Sequence, residues 1–564
     1  MKQETLNKID LWKESVSKQE LETIEQMNEV ELADAFTEDI AFGTAGLRGI
    51  IGIGSNRMNV YVVRKTTLGF MNYMKKRNPN ACEMGVVIAY DCRRNSDVFS
   101  KTAALVLASG GMKVYLFSGL RPTPELSFAV RHLKCAGGIM ITASHNPPQY
   151  NGYKVYDEEG CQLIPELADA VTNEVNSITN MFDIHTKSFE EYVKEGLIQV
   201  IDKEVDEPYL EQVKTIPVNQ VNKKNIKIVY TPLHGTGSVF MVDLLKAEGY
   251  NVIPVKEQMI PDGEFSTLKS PNPEEASAFE YSLKLGKEVD ADILIATDPD
   301  ADRMGIAAKD NNGEYVLLTG NQTGAILLNY LALNVPHDQN SCVYNTIVTS
   351  NIAKDICEKH NLTLVQTLTG FKYIGEQAAL IENTNKKFFF GYEESYGSVI
   401  KPFVRDKDSF QATLLLAEVA SYYKEQGKTL VNVLDDIYQE YGYYLEGVQN
   451  ISLTGLEGAL RIKKIMAYFQ NNPLNSIAGR KIVTIEDYDK SESLTGDKVE
   501  AICLPKSLVL KYIFADGGWF ALRPSGTEPK LKIYIAIKGE NKEAASAFIE
   551  QLKQDVLAII DKIK

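Results

Sequence analysis

Positive charge is in short supply. Sixty Lys and Arg stand against 75 Asp and Glu, a formal net charge of −15. So acidic a chain is a poor partner for nucleic acid or an anionic membrane, although a few local cations and backbone N–H groups suffice to hold a small anion. Long apolar runs are missing too; none approaches the roughly 18 residues of a membrane span. The opening Met1-Lys2-Gln3-Glu4-Thr5 has neither the basic region nor the apolar run of a secretory signal. Cysteine is sparse. The seven thiols, at 82, 92, 135, 161, 342, 357 and 503, make no Cys-x-x-Cys and cannot all pair internally, so they read as reduced thiols in a reducing compartment. These absences point to a soluble cytoplasmic protein.

What is present is ordinary in composition, 44% hydrophobic and 24% charged, but at 564 residues too long for one core. At about 100–200 residues per domain it divides into three to five. Residues 5–37 are polar and helical in pattern, with Leu6, Ile9, Leu11, Leu21, Ile24 and Leu32 as inward candidates. From residue 60 helical and strand-like stretches alternate, which implies βαβ units and a largely parallel sheet. Strands are expected at 86–89, 113–117 and 138–141, and the mainly helical 160–222 closes this unit. The pattern restarts near 226 and again near 322. After a helix at 408–426 the composition shifts to an α+β unit ending in a helix near 541–562. The implied cuts are 1–215, 216–322, 323–448 and 449–564, with no low-complexity linker between them.

Each of the first three units sends a polar loop off the end of an apolar strand, where ligands collect in open α/β sheets. Gly138-Ile139-Met140-Ile141 runs into Thr142-Ala143-Ser144-His145-Asn146-Pro147-Pro148. This loop presents one hydroxyl, Ser144, on a turn that the Pro-Pro pair enforces, and Lys154 can return to the same cleft. Ile293–Ala296 leads into Asp298-Pro299-Asp300-Ala301-Asp302-Arg303. Carboxylates at alternate positions repel unless a cation sits among them, and Mg²⁺ combines such oxygens with phosphate; Arg303 can meet an anion. The glycine and terminal Glu of an EF-hand are not in place. Phe388-Phe389-Phe390 feeds Gly391–Gly397, where Glu393 and Ser395 offer acceptors and a hydroxyl suited to a sugar. In the last unit Arg523-Pro524-Ser525-Gly526-Thr527 forms a compact anion receptor. Near the start, Phe42-Gly43-Thr44-Ala45-Gly46-Leu47-Arg48-Gly49 is Gly-rich with one Arg and is not a Walker A loop.

Singly, each loop could be a polar turn. Together they supply a nucleophile, a cation cage, a polyol reader and a phosphate grip, the inventory for moving a phosphoryl group on a sugar phosphate. An aspartyl-phosphate phosphatase, with Asp298 as nucleophile and Asp300 as acid, would leave Ser144 and 523–527 idle. A serine hydrolase would want a Gly-x-Ser-x-Gly elbow around Ser144. A non-catalytic sugar-phosphate sensor would not require Ser144 and the full Asp triplet.

With these loops in this order over roughly residues 40–535, the sequence resembles the α-D-phosphohexomutases, especially the branch that phosphoglucomutases share with phosphopentomutases. The resemblance implies an α/β protein of four domains, three with mixed sheets and a C-terminal α+β domain, around a central cleft. It implies that Ser144 carries the phosphoryl group and, with Asp298, Asp300 and Asp302, holds Mg²⁺. Arg48, His145 and Lys154 would lie at the reacting phosphate, Lys154 as a candidate for proton transfer, with Arg303 beside them. Glu393 and Ser395 would read sugar hydroxyls, and Arg523, Ser525, Gly526 and Thr527 would grip the far phosphate. The implied reaction interconverts α-D-glucose 1-phosphate and glucose 6-phosphate through a phosphoserine enzyme, with glucose 1,6-bisphosphate as intermediate and activator. Pentose and mannose phosphates are the alternative substrates, and the implied assembly is a monomer or weak homo-oligomer. Two departures stand out. Ala301 replaces a Gly of many relatives and is expected to leave the carboxylates in place. Gly397 replaces a His of some relatives, so no His acid–base is expected there.

Overall fold

The computed structural model describes residues 1–42, 46–453, 455–525 and 530–563. Among them the strands form four sheets in succession along the chain. The first has the order Leu47–Ile50, Tyr150–Tyr156, Gly137–Ile141, Val86–Tyr90, Val114–Phe117, Ile198–Ile201. The last four are parallel and the first two antiparallel. The second sheet runs Tyr315–Leu318, Met304–Lys309, Ile293–Thr297, Lys227–Thr231, Asn251–Pro254, the third Thr363–Thr367, Ser341–Thr346, Lys387–Tyr392, Ser398–Val399.

The sheets are mixed, as the resemblance implies: the parallel strands read from the alternation reach one edge of each, and the antiparallel ones lie at the other. One arrangement recurs: the last parallel strand launches the polar loop, and the chain returns antiparallel beside it. The cause is length. A parallel return needs a crossover of a dozen residues or more, and the loops 142–149, 298–303 and 393–397 are too short. The launching strands Gly137–Ile141 and Ile293–Thr297 are buried at every position, which is why they read as continuous apolar runs rather than as alternating ones.

The fourth sheet is antiparallel throughout, and its strand Tyr443–Ser452 pairs with Lys530–Gly539. The expected cut at 448/449 falls inside that strand; the change of sheet comes at Gly442. Likewise the 322/323 cut falls inside the helix Gly320–Asn334, which a Thr319–Gln322 capping box starts. Composition shifts gradually across both boundaries and could not mark them.

Three helices, Gln3–Ser15, Lys18–Gln26 and Glu29–Phe36, open the chain. Ile9 and Ile24 are buried as expected, but Leu6 and Leu11 stay exposed. The inward stripe is Thr5, Ile9 and Trp12, spaced i, i+4, i+7, and Trp12 packs edge-on against Phe36, Tyr61 and Phe182. One core runs through the first three sheets. The fourth has its own and meets the third where Ile347, Val348 and Leu368 pack on Trp519 and Tyr534. No helix of the described residues is long and apolar enough to cross a membrane, and no described cysteine is in a disulfide.

Candidate active site

The serine loop is built around a buried guanidinium. Asp91, at the end of Val86–Tyr90, accepts from Thr142 Oγ1 at 2.6 Å and from Ser96 Oγ and Arg93 N. Arg93 then donates to four loop carbonyls, those of Ser144, Asn146, Pro147 and Tyr150. This clamp holds Ser144 at φ +51°, a left-handed conformation that costs a non-glycine residue of order 1 kcal/mol. The Ser144 hydroxyl is thereby aimed across the sheet boundary: Oγ donates to Asp298 Oδ2 at 2.7 Å, with His145 Nδ1 3.2 Å away. Burial, reinforced by the Arg303 and Arg48 guanidiniums, holds His145 well below its ordinary pKa, so its ring is neutral.

The metal loop is held at three successive carbonyls from three directions. Pro299 O accepts from Thr236 N at 2.8 Å, Asp300 O from Thr123 N at 2.9 Å, and Ala301 O from Ser409 Oγ at 2.6 Å. Ala301 adopts φ +51° and is fully buried, the left-handed backbone that favours glycine. The three carboxylates offer ligand atoms within 4.8 Å of one another. Their oxygens divide by use. Asp298 Oδ1 accepts two backbone amides; Asp300 Oδ2 accepts from Thr123 and Lys154; Asp302 Oδ2 faces Lys154 and Lys407, at 3.4 and 3.1 Å. Asp300 Oδ1 and Asp302 Oδ1 are buried without a hydrogen-bond partner.

Such orphaned acceptors are costly unless a cation takes them. The charge balance agrees: Lys154, Lys407 and Arg303, the last 3.8 Å from Asp302 Oδ1, face five carboxylates, the triplet, Asp406 and Glu274. Burial and the neighbouring Asp302 and Asp300 push Asp298 well up. Burial also opposes ionisation of Asp300, but Lys154 outweighs it and holds Asp300 far below the usual carboxylate range. The residues present thus fit a divalent cation with oxygen ligands.

Arg48 sits on the edge strand Leu47–Ile50, paired to the strand that carries Lys154. Gly46, at φ +91°, allows the approach, since a Cβ there would lie 2.1 Å from Tyr153 O. Arg48 Nη1 donates to Asn146 Oδ1 at 3.1 Å. Arg303 turns to Glu274, 2.5 Å away. The sugar loop abuts the metal loop through Met304 N to Tyr396 O, 3.0 Å. Glu393 accepts from Gly370 N, and Ser395 Oγ lies 3.4 Å from its Oε2; burial lifts Glu393 to about 7 against the pull of Lys407. Arg523 lies on the strand Trp519–Pro524, opposite Lys532 of Lys530–Gly539, and its charge reaches Lys372, Tyr373 and Tyr534. Ser525 N bonds Lys530 O. Gly526 and Thr527, like Gly43, Thr44 and Ala45, lie outside the described residues.

The structure adds residues that no local pattern marked. Lys407 bridges Asp302 and Asp406, both 3.1 Å from its Nζ, and occupies the space beside Gly397: a Cβ on Gly397 would meet Lys407 Cδ at 2.1 Å. A side chain such as His cannot share that space with Lys407. Thr123 is likewise invisible in the sequence, whereas Asp91 and Arg93 stand just past a strand end, a position that marks the ligand side of such a sheet.

Family models of phosphoglucomutase/phosphomannomutase match the chain in order: alpha/beta/alpha domain I at residues 39–181, domain II at 207–313, domain III at 319–441 and the C-terminal domain at 483–552. A phosphoglucomutase of Staphylococcus epidermidis is 39% identical over 510 residues, 90% of this chain and 92% of that protein. One of Staphylococcus haemolyticus is 38% identical over 92% of this chain and 93% of its own. Parafusin, a phosphoglucomutase of Paramecium solved in its open form, shares the fold at a TM-score of 0.66 and 18% identity, covering 92% of this chain and 94% of its own. A phosphoglucomutase/phosphomannomutase family protein of Burkholderia thailandensis does so at 0.67 and 18%, covering 92% and 97%. Four domain models in sequence and such identity over nine tenths of the length place the chain in the phosphoglucomutase/phosphomannomutase family, within the α-D-phosphohexomutases.

Proposed function

We propose that the protein is a phosphoglucomutase that interconverts α-D-glucose 1-phosphate and glucose 6-phosphate. The observation that carries this reading is the Ser144 hydroxyl 2.7 Å from Asp298 inside the carboxylate triplet, in a chain 39% identical to a phosphoglucomutase over most of its length. Ser144, as a phosphoserine, donates its phosphoryl group to the sugar 6-hydroxyl: the serine O–P bond breaks as the sugar O–P bond forms, and the hydroxyl proton passes to a base of the cleft. Glucose 1,6-bisphosphate turns over and returns its 1-phosphoryl group to Ser144, freeing glucose 6-phosphate. A mutase of Aspergillus fumigatus has been solved with glucose 1,6-bisphosphate, in keeping with this intermediate.

Asp298, Asp300 and Asp302 would hold Mg²⁺, with an oxygen on Ser144, and the ion would supply charge stabilisation to the transferring group. Arg48 and Lys154 steady the same phosphate, with neutral His145 at its edge and Arg303 behind it. Lys154 and Lys407 are both drawn up by the carboxylates against burial, which favours their ammonium forms, with Lys154 the candidate for proton transfer. Glu393 and Ser395 take the 3- and 4-hydroxyls, and Arg523, Ser525, Gly526 and Thr527 the far phosphate. We place the protein in the cytoplasm as a monomer or weak homo-oligomer, in four units cut near 215, 319 and 442.

Two measurements test the reading. Intact protein should carry one acid-stable phosphate on a Ser144 peptide, and Ser144→Ala should lose label and turnover while staying folded; full activity would sink the mechanism. kcat/KM should fall in the order glucose, mannose and galactose 1-phosphate, with Mg²⁺ and the matching bisphosphate. Ribose 1-phosphate faster than glucose 1-phosphate by about tenfold, some 1.4 kcal/mol, would replace the assignment with phosphopentomutase.

A further inference from the structure

Thr123 is fully buried and takes hold of one metal-loop residue at both ends. Its N–H donates to Asp300 O at 2.9 Å and its Oγ1 to Asp300 Oδ2 at 2.8 Å. Thr123 lies in domain I and Asp300 in domain II. It is the first residue of the helix Thr123–His132, whose N-terminal amides have no partner within the helix and whose positive dipole end favours a carboxylate. The helix start is itself pinned. Arg121 N bonds Tyr90 O at 3.0 Å, and the Arg121 guanidinium grips both oxygens of Asp206, at 2.8 and 2.9 Å.

Lys154 Nζ shares Asp300 Oδ2 at 2.7 Å but is divided between Asp300 and Asp302 at the end of a four-carbon stem, whereas a β-branched side chain on a pinned helix has one stiff torsion. Two donors thus saturate Oδ2, while Oδ1 is left buried and unpartnered. We propose that Thr123 is a positioning residue that fixes Asp300 as a one-oxygen cation ligand, a second dependence of the cation site on domain I beside Ser144 itself. The proposal rests on the triplet being the cation site.

The test is Mn²⁺ binding to the full-length protein, followed by the EPR signal of free Mn²⁺ without substrate. Thr123→Val keeps the shape and removes the hydroxyl; Thr123→Ser keeps the hydroxyl and removes the methyl. Outer-shell partners of metal ligands are worth about 10–100-fold in affinity, so Thr123→Val should weaken Mn²⁺ by that factor, and Thr123→Ser should bind close to wild type. Equal affinity in wild type and Thr123→Val overturns the proposal. So does equal weakening in Val and Ser, which would make Thr123 a packing residue. If Thr123→Val does not fold, Thr123→Ala against Thr123→Ser makes the same comparison. Asp300→Asn keeps the two readings apart: if it binds Mn²⁺ as wild type does, the cation site itself is misassigned and this inference falls with it.

Discussion

A missing side chain brings Lys407 to the triplet. Because a Cβ on Gly397 would overlap Lys407 Cδ and Cγ, at 2.1 and 2.6 Å, Gly397→Ala should lift the ammonium off Asp302. A hydrogen bond between charged groups is worth about 1.5–3 kcal/mol, so steady-state kcat should drop about 10–100-fold. Lys407→Met in the Gly397→Ala background should then add little, since both changes remove the same contact; additive losses would separate the two residues. Ser144, the Asp triplet and Glu393 could be read from the sequence because each lies in a short polar run directly after an apolar strand. Lys407 could not. It follows Ser398–Val399 in a stretch with no periodic pattern and meets Asp302 only through the fold. Thr123 was hidden as the first residue of an ordinary helix.

Loops and strands obey local rules that a single substitution can break. Arg93 satisfies four carbonyls of the serine loop with a planar fork that an ammonium cannot reproduce. Arg93→Lys keeps the charge beside Asp91 but leaves buried carbonyls unpaired, at about 1–3 kcal/mol each, seen as a lower denaturation midpoint, and should cut phosphorylation of Ser144; an unchanged midpoint would deny the clamp. The first turn of the helix Phe371–Ile381 sets a pH limit. Burial, with Arg523 beside it, lowers Lys372 to about 8, so the ammonium is present below that pH and lost above it. If it helps draw in the phosphate, log kcat/KM should fall above about pH 8, and Lys372→Arg should move the fall upward. A flat profile to pH 9 would remove Lys372 from binding. Helices and buried strands were legible within a few residues because apolar periodicity marks them. The antiparallel return in each of the first three sheets was not legible in the periodicity, which carries no pairing direction; the mixed sheets were expected from the family resemblance alone. Leu6 and Leu11 misled because two faces of the first helix carry leucine and only the face around Trp12 meets a core.

Across the whole molecule, cation binding should register as stability. A ligand at 100 times its Kd adds about 2.7 kcal/mol, so Mg²⁺ should raise Tm, EDTA should reverse the rise and Asp300→Asn should abolish it; a Tm indifferent to Mg²⁺ would tell against the site. The four-unit plan was legible because composition and motif order repeat along the chain. Its joints were not, because Tyr443–Ser452 and Gly320–Asn334 each run through an expected cut. The carbonyls of Pro299, Asp300 and Ala301 are taken by Thr236, Thr123 and Ser409, residues of domains II, I and III. Domain II excised at its borders would keep all three acids in the sequence but would present two bare carbonyls and an uncapped Asp300 Oδ2. The triplet can thus be cut out as a stretch of chain but not as a working cage, and a domain II exchanged between relatives would have to meet donors at the positions of Thr123 and Ser409 in its new neighbours.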